Sequence, residues 1–199
     1  MKKVIIFIFI IFMANKSYSN QIKKEYYKNN SIFSEEEYQN NNKNGLSIFY
    51  FPDGKIFLKA EYKNNKLEGS LEKYYDTGKL EYIEKYRDNM LIYKKKFAYY
   101  DGHLYYEASY KNGNLDGVEK AYYKNGKLKW ITTYKNGKKN GVDKIYFPNG
   151  KIREEKTYKN GKLNGICRKY RMDGSIESEV RYKNKVFSAR EIIMSIRIP

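Results

Sequence analysis

One cysteine, one histidine, one tryptophan and three prolines are all that the 199 residues hold of the types that most often staple, ligate or interrupt a fold. A lone Cys167 excludes an intrachain disulfide framework. Together with a lone His103 it excludes a His- or Cys-rich metal site. No apolar run is long enough to cross a bilayer as a helix, which takes about 20 residues. No Gly-x-Ser-x-Gly elbow occurs, and nothing in the sequence supplies a base beside Cys167. Cofactor chemistry is not expected either. The Asn-Gly-Lys triplets are not phosphate loops, because no helix follows them to present free N–H groups.

What is present is unevenly chosen. Of the aromatic residues, 23 are tyrosine, a density that argues against a disordered chain. The formal net charge is +17. Such an excess points to anionic partners in principle. Lys, Asn, Ile and Tyr all have AT-rich codons, however, and this chain is loaded with all four. Its lysines also alternate with glutamates, the pattern of a solvated face.

The N-terminus reads as an export address. Lys2 and Lys3 precede the ten apolar residues 4–13, VIIFIFIIFM, which match the core of a secretory signal peptide. Ser17-Tyr18-Ser19 offers small residues for cleavage after Ser19, and no cysteine follows to carry a lipid. The alternative is an uncleaved anchor. The mature chain is expected to be periplasmic, extracellular or on the cell surface.

The rest is periodic. Gly45, Gly69, Gly117, Gly141 and Gly165 stand at multiples of 24 residues, with Tyr93 the one break in the column. A second column runs Gly54, Gly78, Gly102, Gly126, Gly150 and Gly174 without a gap. A third runs Tyr38, Tyr62, Tyr86, Tyr110, Tyr134, Tyr158 and Tyr182, and a fourth holds Ile32, Ile56, Leu80, Leu104, Leu128, Ile152 and Ile176. A constant period of this size marks a repeat array.

Within one unit, residues 117–140, a strand from Val118 to Tyr123 ends at Lys124-Asn125-Gly126. A second strand from Lys127 to Tyr134 ends at Lys135-Asn136-Gly137. Asn-Gly and Asp-Gly pairs supply the positive φ of tight hairpin turns. Alternation along the second strand places Leu128, Trp130, Thr132 and Tyr134 on one face. The first strand is expected to add Val118 and Tyr122 to it, or Val142 and Tyr146 in the next unit. A second aromatic column (Phe51, Tyr75, Tyr99, Tyr123, Phe147) would fall on the other face. One face is then apolar and aromatic, the other charged. Curling would stack the tyrosines of adjacent units, with hydroxyls in water at the rim.

The expected fold is all-β: an elongated, twisted, single antiparallel meander of tandem β-hairpins. Residues 1–19 are the signal peptide and 20–44 a degenerate N-terminal repeat, in which Asn30 replaces the turn glycine. Six repeats fill 45–188, and 189–199 form a cap or tail. Ser188–Ile196 reads equally as a short helix or a last edge strand.

These columns resemble the MORN repeat family in the variant form found in bacterial proteins. The phrase shared with it is Tyr123-Lys124-Asn125-Gly126-Lys127-Leu128, then Tyr134-Lys135-Asn136-Gly137-Lys138, then Gly141. The resemblance covers about residues 21–188 and implies an extended sheet of hairpins. Bacterial chains of this kind are often labelled YwqK-type antitoxins.

No enzyme is expected. His103 occupies a slot that is Lys55, Lys79, Lys127 and Lys151 in other units, and Cys167 one that varies freely. The repeat surface itself is then the functional element. Three readings follow: a scaffold binding another protein, antitoxin-like neutralisation of a toxin, and docking of the basic face on anionic phospholipid. A protein partner ranks first, an anionic membrane surface second, and nucleic acid below both.

Overall fold

A computed structural model describes residues 11–12, 20–98 and 101–185. The signal-peptide assignment, apart from Ile11 and Phe12, lies outside those residues, as do Tyr99 and the segment Ser188–Ile196. The chain divides into two units, Met1–Leu104 and Tyr105–Pro199.

The first unit is a meander of β1 (Ile11–Phe12), β2 (Asn20–Tyr26), β3 (Ile32–Gln39), β4 (Asn42–Tyr50), β5 (Ile56–Lys63), β6 (Lys66–Tyr74), β7 (Leu80–Arg87) and β8 (Met90–Phe97). The second comprises β9 (Leu104–Lys111), β10 (Asn114–Tyr122), β11 (Leu128–Lys135), β12 (Lys138–Tyr146), β13 (Ile152–Lys159), β14 (Lys162–Tyr170) and β15 (Ile176–Lys185). Within each unit every strand pairs antiparallel with the next. The fold is all-β, with no helix among the described residues.

Two turn types alternate. After each second strand comes a two-residue turn with positive φ at both positions, as at Asn64-Asn65 and Asn136-Gly137. That is the type I′ geometry whose twist matches the flanking strands. After each first strand comes a longer turn. Phe51 N–H donates to the Lys55 carbonyl (2.7 Å) and Gly54 N–H to the Phe51 carbonyl (2.9 Å). Asn30 holds the same left-handed conformation at φ 64, so the degenerate first repeat keeps its turn.

The Gly45 column serves a different purpose. Between Thr132↔Asp143 and Tyr134↔Lys139, two steps along β11 oppose four along β12. The two surplus residues form a bulge around Gly141, whose φ is 111. A Cβ there would sit 3.3 Å from the Thr133 Cβ. The same glycine stands directly opposite Tyr158 on β13. The glycine and tyrosine columns are therefore register partners.

Tyr93 shows what the column does when the glycine is missing. From Glu84↔Lys94 to Tyr86↔Leu91, two steps along β7 oppose only three along β8. The bulge has lost a residue, and Lys94 to Lys96 shift by one position. The following turn absorbs the difference: Ala98 N–H reaches the His103 carbonyl (3.0 Å), one residue farther than in the 51–55 turn.

Another irregularity corrects the expected faces. Tyr122 pairs with Leu128, but Ala121 pairs with Trp130, so Lys129 is an extra residue in β11. Alternation skips there, and Lys129 and Trp130 share a face. Leu128 consequently lies on the face opposite Trp130, Thr132 and Tyr134. Tyr122 and Val118 lie with Leu128, and Val118 is 38% exposed rather than packed among aromatics. The second aromatic column moves the other way: the Phe51 ring packs edge-on against Phe57, at 5.1 Å between centroids.

Among the described residues all fully buried side chains fall on the Trp130 face, hereafter the buried face. A row of short residues crosses it, with Ser47 and Ala60 paired in one unit and Thr132 and Asp143 in the other. Ala60 lies between Leu58 and Tyr62 along its strand, and Ala108 between Tyr106 and Tyr110. These large neighbours lean over the row in the twisted sheet, leaving Ala60 1% and Ala108 0% exposed without a covering layer.

Gly165→Ala should destabilise the protein by about 1–3 kcal/mol in urea unfolding, because its φ is 136 and a Cβ would meet Thr157 at 3.0 Å. Gly126→Asn, with open space around it and φ 77, should cost only a few tenths of a kcal/mol, roughly the tolerance Asn has for this region. Equal losses would refute the distinction between the two columns. Excising residues 117–140 should leave a cooperatively folding shorter array. Excising 117–128 should not, since β11 would lose the strand that precedes it; identical behaviour would contradict modular pairing.

Candidate binding faces and their charge networks

The buried face carries more charge than its sequence pattern implies. Its central row includes Glu36, Glu84, Glu119 and Asp143, each met by partners from neighbouring strands. Glu36 accepts Tyr38 Oη at 3.0 Å and Lys43 Nζ at 2.8 Å. Glu84 accepts Tyr86 Oη at 2.7 Å and is bonded by Lys94. Glu119 accepts Tyr106 Oη at 2.8 Å. Asp143 takes Thr132 Oγ1 at 2.8 Å and Lys139 Nζ at 2.9 Å. The tyrosine hydroxyls expected in water at a rim instead satisfy half-buried carboxylates, which would be costly unpaired.

Successive column tyrosines are separated by a spacer residue on the strand between them. Tyr62 is opposite Leu67, Tyr134 opposite Lys139 and Tyr158 opposite Leu163. Where the spacer is lysine, its ammonium lies over the next ring: Lys43 is 5.2 Å from the Tyr62 centroid and Lys139 5.1 Å from that of Tyr158. Leu163 is 1% exposed, so this seam is packed rather than available to a ligand.

The open face is also charged, and several of its charges are paired. Lys24 bonds Glu35 at 2.6 Å and Lys120 bonds Glu107 at 3.1 Å. Glu155 lies 3.6 Å from Lys144 and 3.1 Å from Arg168, whose Nε bonds Glu179 at 2.7 Å. Tyr50, Tyr122 and Tyr170 donate to Glu35, Glu107 and Glu155 at 2.8, 2.6 and 2.8 Å. The Lys24 ammonium holds the Glu35 carboxyl below its ordinary range, against burial and with help from Tyr50. For Glu155, burial pushes the carboxyl up, but the bonds from Tyr170 and Arg168 outweigh it.

The edges are built differently again. Lys55, Lys127 and Lys151, at the ends of the Gly turns, donate to carbonyls of the next turn at Asp76, Asn149 and Asp173 (3.0, 2.8 and 2.9 Å). Tyr27 and Tyr123 staple the same edge through the Tyr50 and Tyr146 carbonyls, both at 2.7 Å. On the opposite edge, Asn65 and Asn89 N–H donate to the carbonyls of Lys43 and Leu67. Their side chains accept the N–H of the same residues at 2.7 Å.

His103 takes the lysine slot of its turn, and its Nδ1 lies 2.5 Å from Asp101 Oδ1. Cys167 lies on the buried face opposite Val180. Burial pushes its thiol up, the reverse of an activated nucleophile. Among the described residues no group of His, Cys, Asp and Glu is arranged to hold a metal. The Gly and Tyr columns picked out in the sequence are brought together by register. Glu36 and Glu84, which accept the Tyr38 and Tyr86 hydroxyls, stand two residues earlier on the same strands, whereas Glu119, which accepts Tyr106, is reached only through the register.

The tyrosines set an alkaline limit. Burial, then the carboxylate beside each, pushes Tyr38, Tyr50 and Tyr122 up to about 12 from an ordinary 10.0. An unfolded chain loses these protons first. The stability they contribute is thus complete below pH 10 and lost as pH rises through about 12. The urea midpoint should stay flat up to about pH 10 and fall steeply above it, in step with tyrosinate absorbance. Ionisation of most tyrosines near pH 10 with the sheet intact by circular dichroism would refute the network.

Four segments of the chain match the MORN repeat variant family: residues 43–64, 67–88, 115–136 and 139–160. Each spans one hairpin, from the spacer residue through the first position of the following I′ turn. The hairpin carrying Tyr93 falls between the matches, consistent with its shortened bulge. No curated protein is similar enough to count as a match. The chain is thus an array of β-hairpins, four of which match the MORN repeat variant family.

Proposed function

We propose that the chain is a non-catalytic scaffold whose open face binds another protein. The observation that carries this reading is the apolar pair Val118 and Val142, 38% and 43% exposed, recurring one unit apart on that face. Around them lie tyrosines and paired charges, Lys120 with Glu107 and Lys144 with Glu155. Interfaces favour such a mixture, with Tyr and apolar anchors surrounded by polar groups already satisfied. Lys24, Lys120 and Lys144 of this face are committed to glutamates, which favours a protein over an anionic phospholipid surface. Neutralisation of a toxin would be one form of the same binding, using the same face. The N-terminal address supports action outside the cytoplasm, in the periplasm or at the cell surface.

Affinity capture with purified mature chain tests the reading, comparing wild type with a Val118→Asp, Val142→Asp double variant. Both positions are exposed, so the sheet should survive, as circular dichroism would show. Loss of the captured protein by tenfold or more is the expected outcome. Undiminished capture by the folded variant would remove the open face as the interface. Flotation with anionic vesicles at low salt runs in parallel, and binding there that Val→Asp does not change would favour the membrane reading instead.

A further inference from the structure

Part of the surplus positive charge falls on one line. In the second unit, the I′-turn edge presents Lys111, Lys135, Lys138, Lys159, Lys162 and Lys183, all exposed. Among the described residues none of the six forms an ion pair. Lys135 stands directly opposite Lys138, and Lys159 directly opposite Lys162. Like charges in facing positions destabilise a sheet. The first unit relieves the same arrangement: Lys63 opposes Lys66, but Lys66 is bonded to Asp88 at 3.0 Å, and Glu68 accepts the Asp88 N–H. In the second unit the slot of Glu68 holds Asp116, which accepts the Asn136 N–H, and then Asn140 and Asn164, so the acids run out. Where they have run out, an open depression is lined by Lys159, Lys162 and Lys183 with Asn160, Asn164 and Asn184.

We infer that this edge is a second binding site, separate from the open face, for a linear phosphate-bearing polymer without bases. The unpaired lysines recur every two strands, about 10 Å apart, along a ridge one turn wide. A line of charge complements a chain of anions better than a plane of headgroups, and the asparagine amides add donors for phosphate oxygens. Single-stranded nucleic acid needs aromatic rings on which bases stack. The column rings beside this edge, Tyr134, Tyr158 and Tyr182, instead lie on the buried face opposite Lys139, Leu163 and Gly165, and Tyr158 is only 9% exposed.

The probe is linear inorganic polyphosphate, titrated into the mature chain over a range of salt concentrations. Lys159→Gln, Lys162→Gln and Lys183→Gln together should weaken binding at least tenfold. They should also flatten the slope of log affinity against log salt by about 2, from three lost contacts on a flexible anion. Lys63→Gln with Lys66→Gln, on the same edge of the first unit, should change affinity less than about twofold, since Lys66 is already paired with Asp88. Circular dichroism confirms the fold of each variant. Unchanged affinity in the triple variant overturns the proposal. So does tighter binding, at equal charge, to anionic phospholipid vesicles or to a single-stranded oligonucleotide than to polyphosphate. Loss of protein capture in the Val118, Val142 variant with polyphosphate binding intact would show the two sites to be independent.

Discussion

Everything in the array depends on where the first strand of each hairpin bulges. A meander of identical hairpins has no second layer to dictate which side chains point inward, so register alone must do it. The bulge at the Gly45 column inserts two residues into the first strand. It needs a positive φ, and it leaves no room for a side chain beyond hydrogen or a carboxylate from outside. At Gly45 the space a Cβ would enter is filled by Glu37, whose Oε2 also accepts the Leu46 N–H at 3.0 Å. With the bulge fixed, the glycine faces a tyrosine on one neighbouring strand, and the spacer two residues earlier faces a tyrosine on the other. Tyr93 is the natural counterexample. Its side chain forbids the full bulge, the strand slips by one residue, and the next turn lengthens to restore the period.

That geometry explains how a sheet with so much charge can hold a buried face. The row shielded by Trp130, Tyr134 and their equivalents is made of short residues, and its carboxylates are each met by a tyrosine or threonine hydroxyl, a lysine, or both. A buried carboxylate left unpaired would cost several kcal/mol. Here the donors come from residues whose position the period already fixes. The spacer lysines do two things at once: Lys139 bonds Asp143 and lies over the Tyr158 ring. Tyrosine suits the column better than phenylalanine for the same reason, since its ring fills the seam and its hydroxyl closes the network.

The period, the two turn types and the Gly and Tyr columns were legible in the sequence because each rests on one residue type at one interval. The left-handed tolerance of Asn30 was legible on the same ground, and it holds at φ 64. The assignment of faces was legible only in part. Strict alternation carries Trp130, Thr132 and Tyr134 correctly, but it fails across the extra residue at Lys129, where no glycine marks the bulge. Strict alternation thereby puts Leu128, Tyr122 and Val118 on the wrong face. Some hydrogen-bond partners of the tyrosines are two residues away, as Glu36 is from Tyr38, but Tyr106 with Glu119 and Tyr122 with Glu107 lie 13 and 15 residues apart, a separation that has meaning only after the register is set.

The basicity of the chain has more than one origin, and position separates them. A skewed codon usage would scatter lysine wherever solvent permits. The lysines after the turn glycines are not scattered: Lys55, Lys127 and Lys151 each reach a carbonyl of the following turn, and replacing them would open that edge. Lys24, Lys120 and Lys144 neutralise glutamates on the open face. Other cations remain on both units, Lys59 and Lys85 among them, but among the described residues it is on the second unit's I′ edge that lysines face one another with neither in an ion pair. A compositional drift would have left the two units alike. The first unit instead places Asp88 against Lys66, so the unrelieved charge of the second is a property of position, and a solvated surface alone does not account for it.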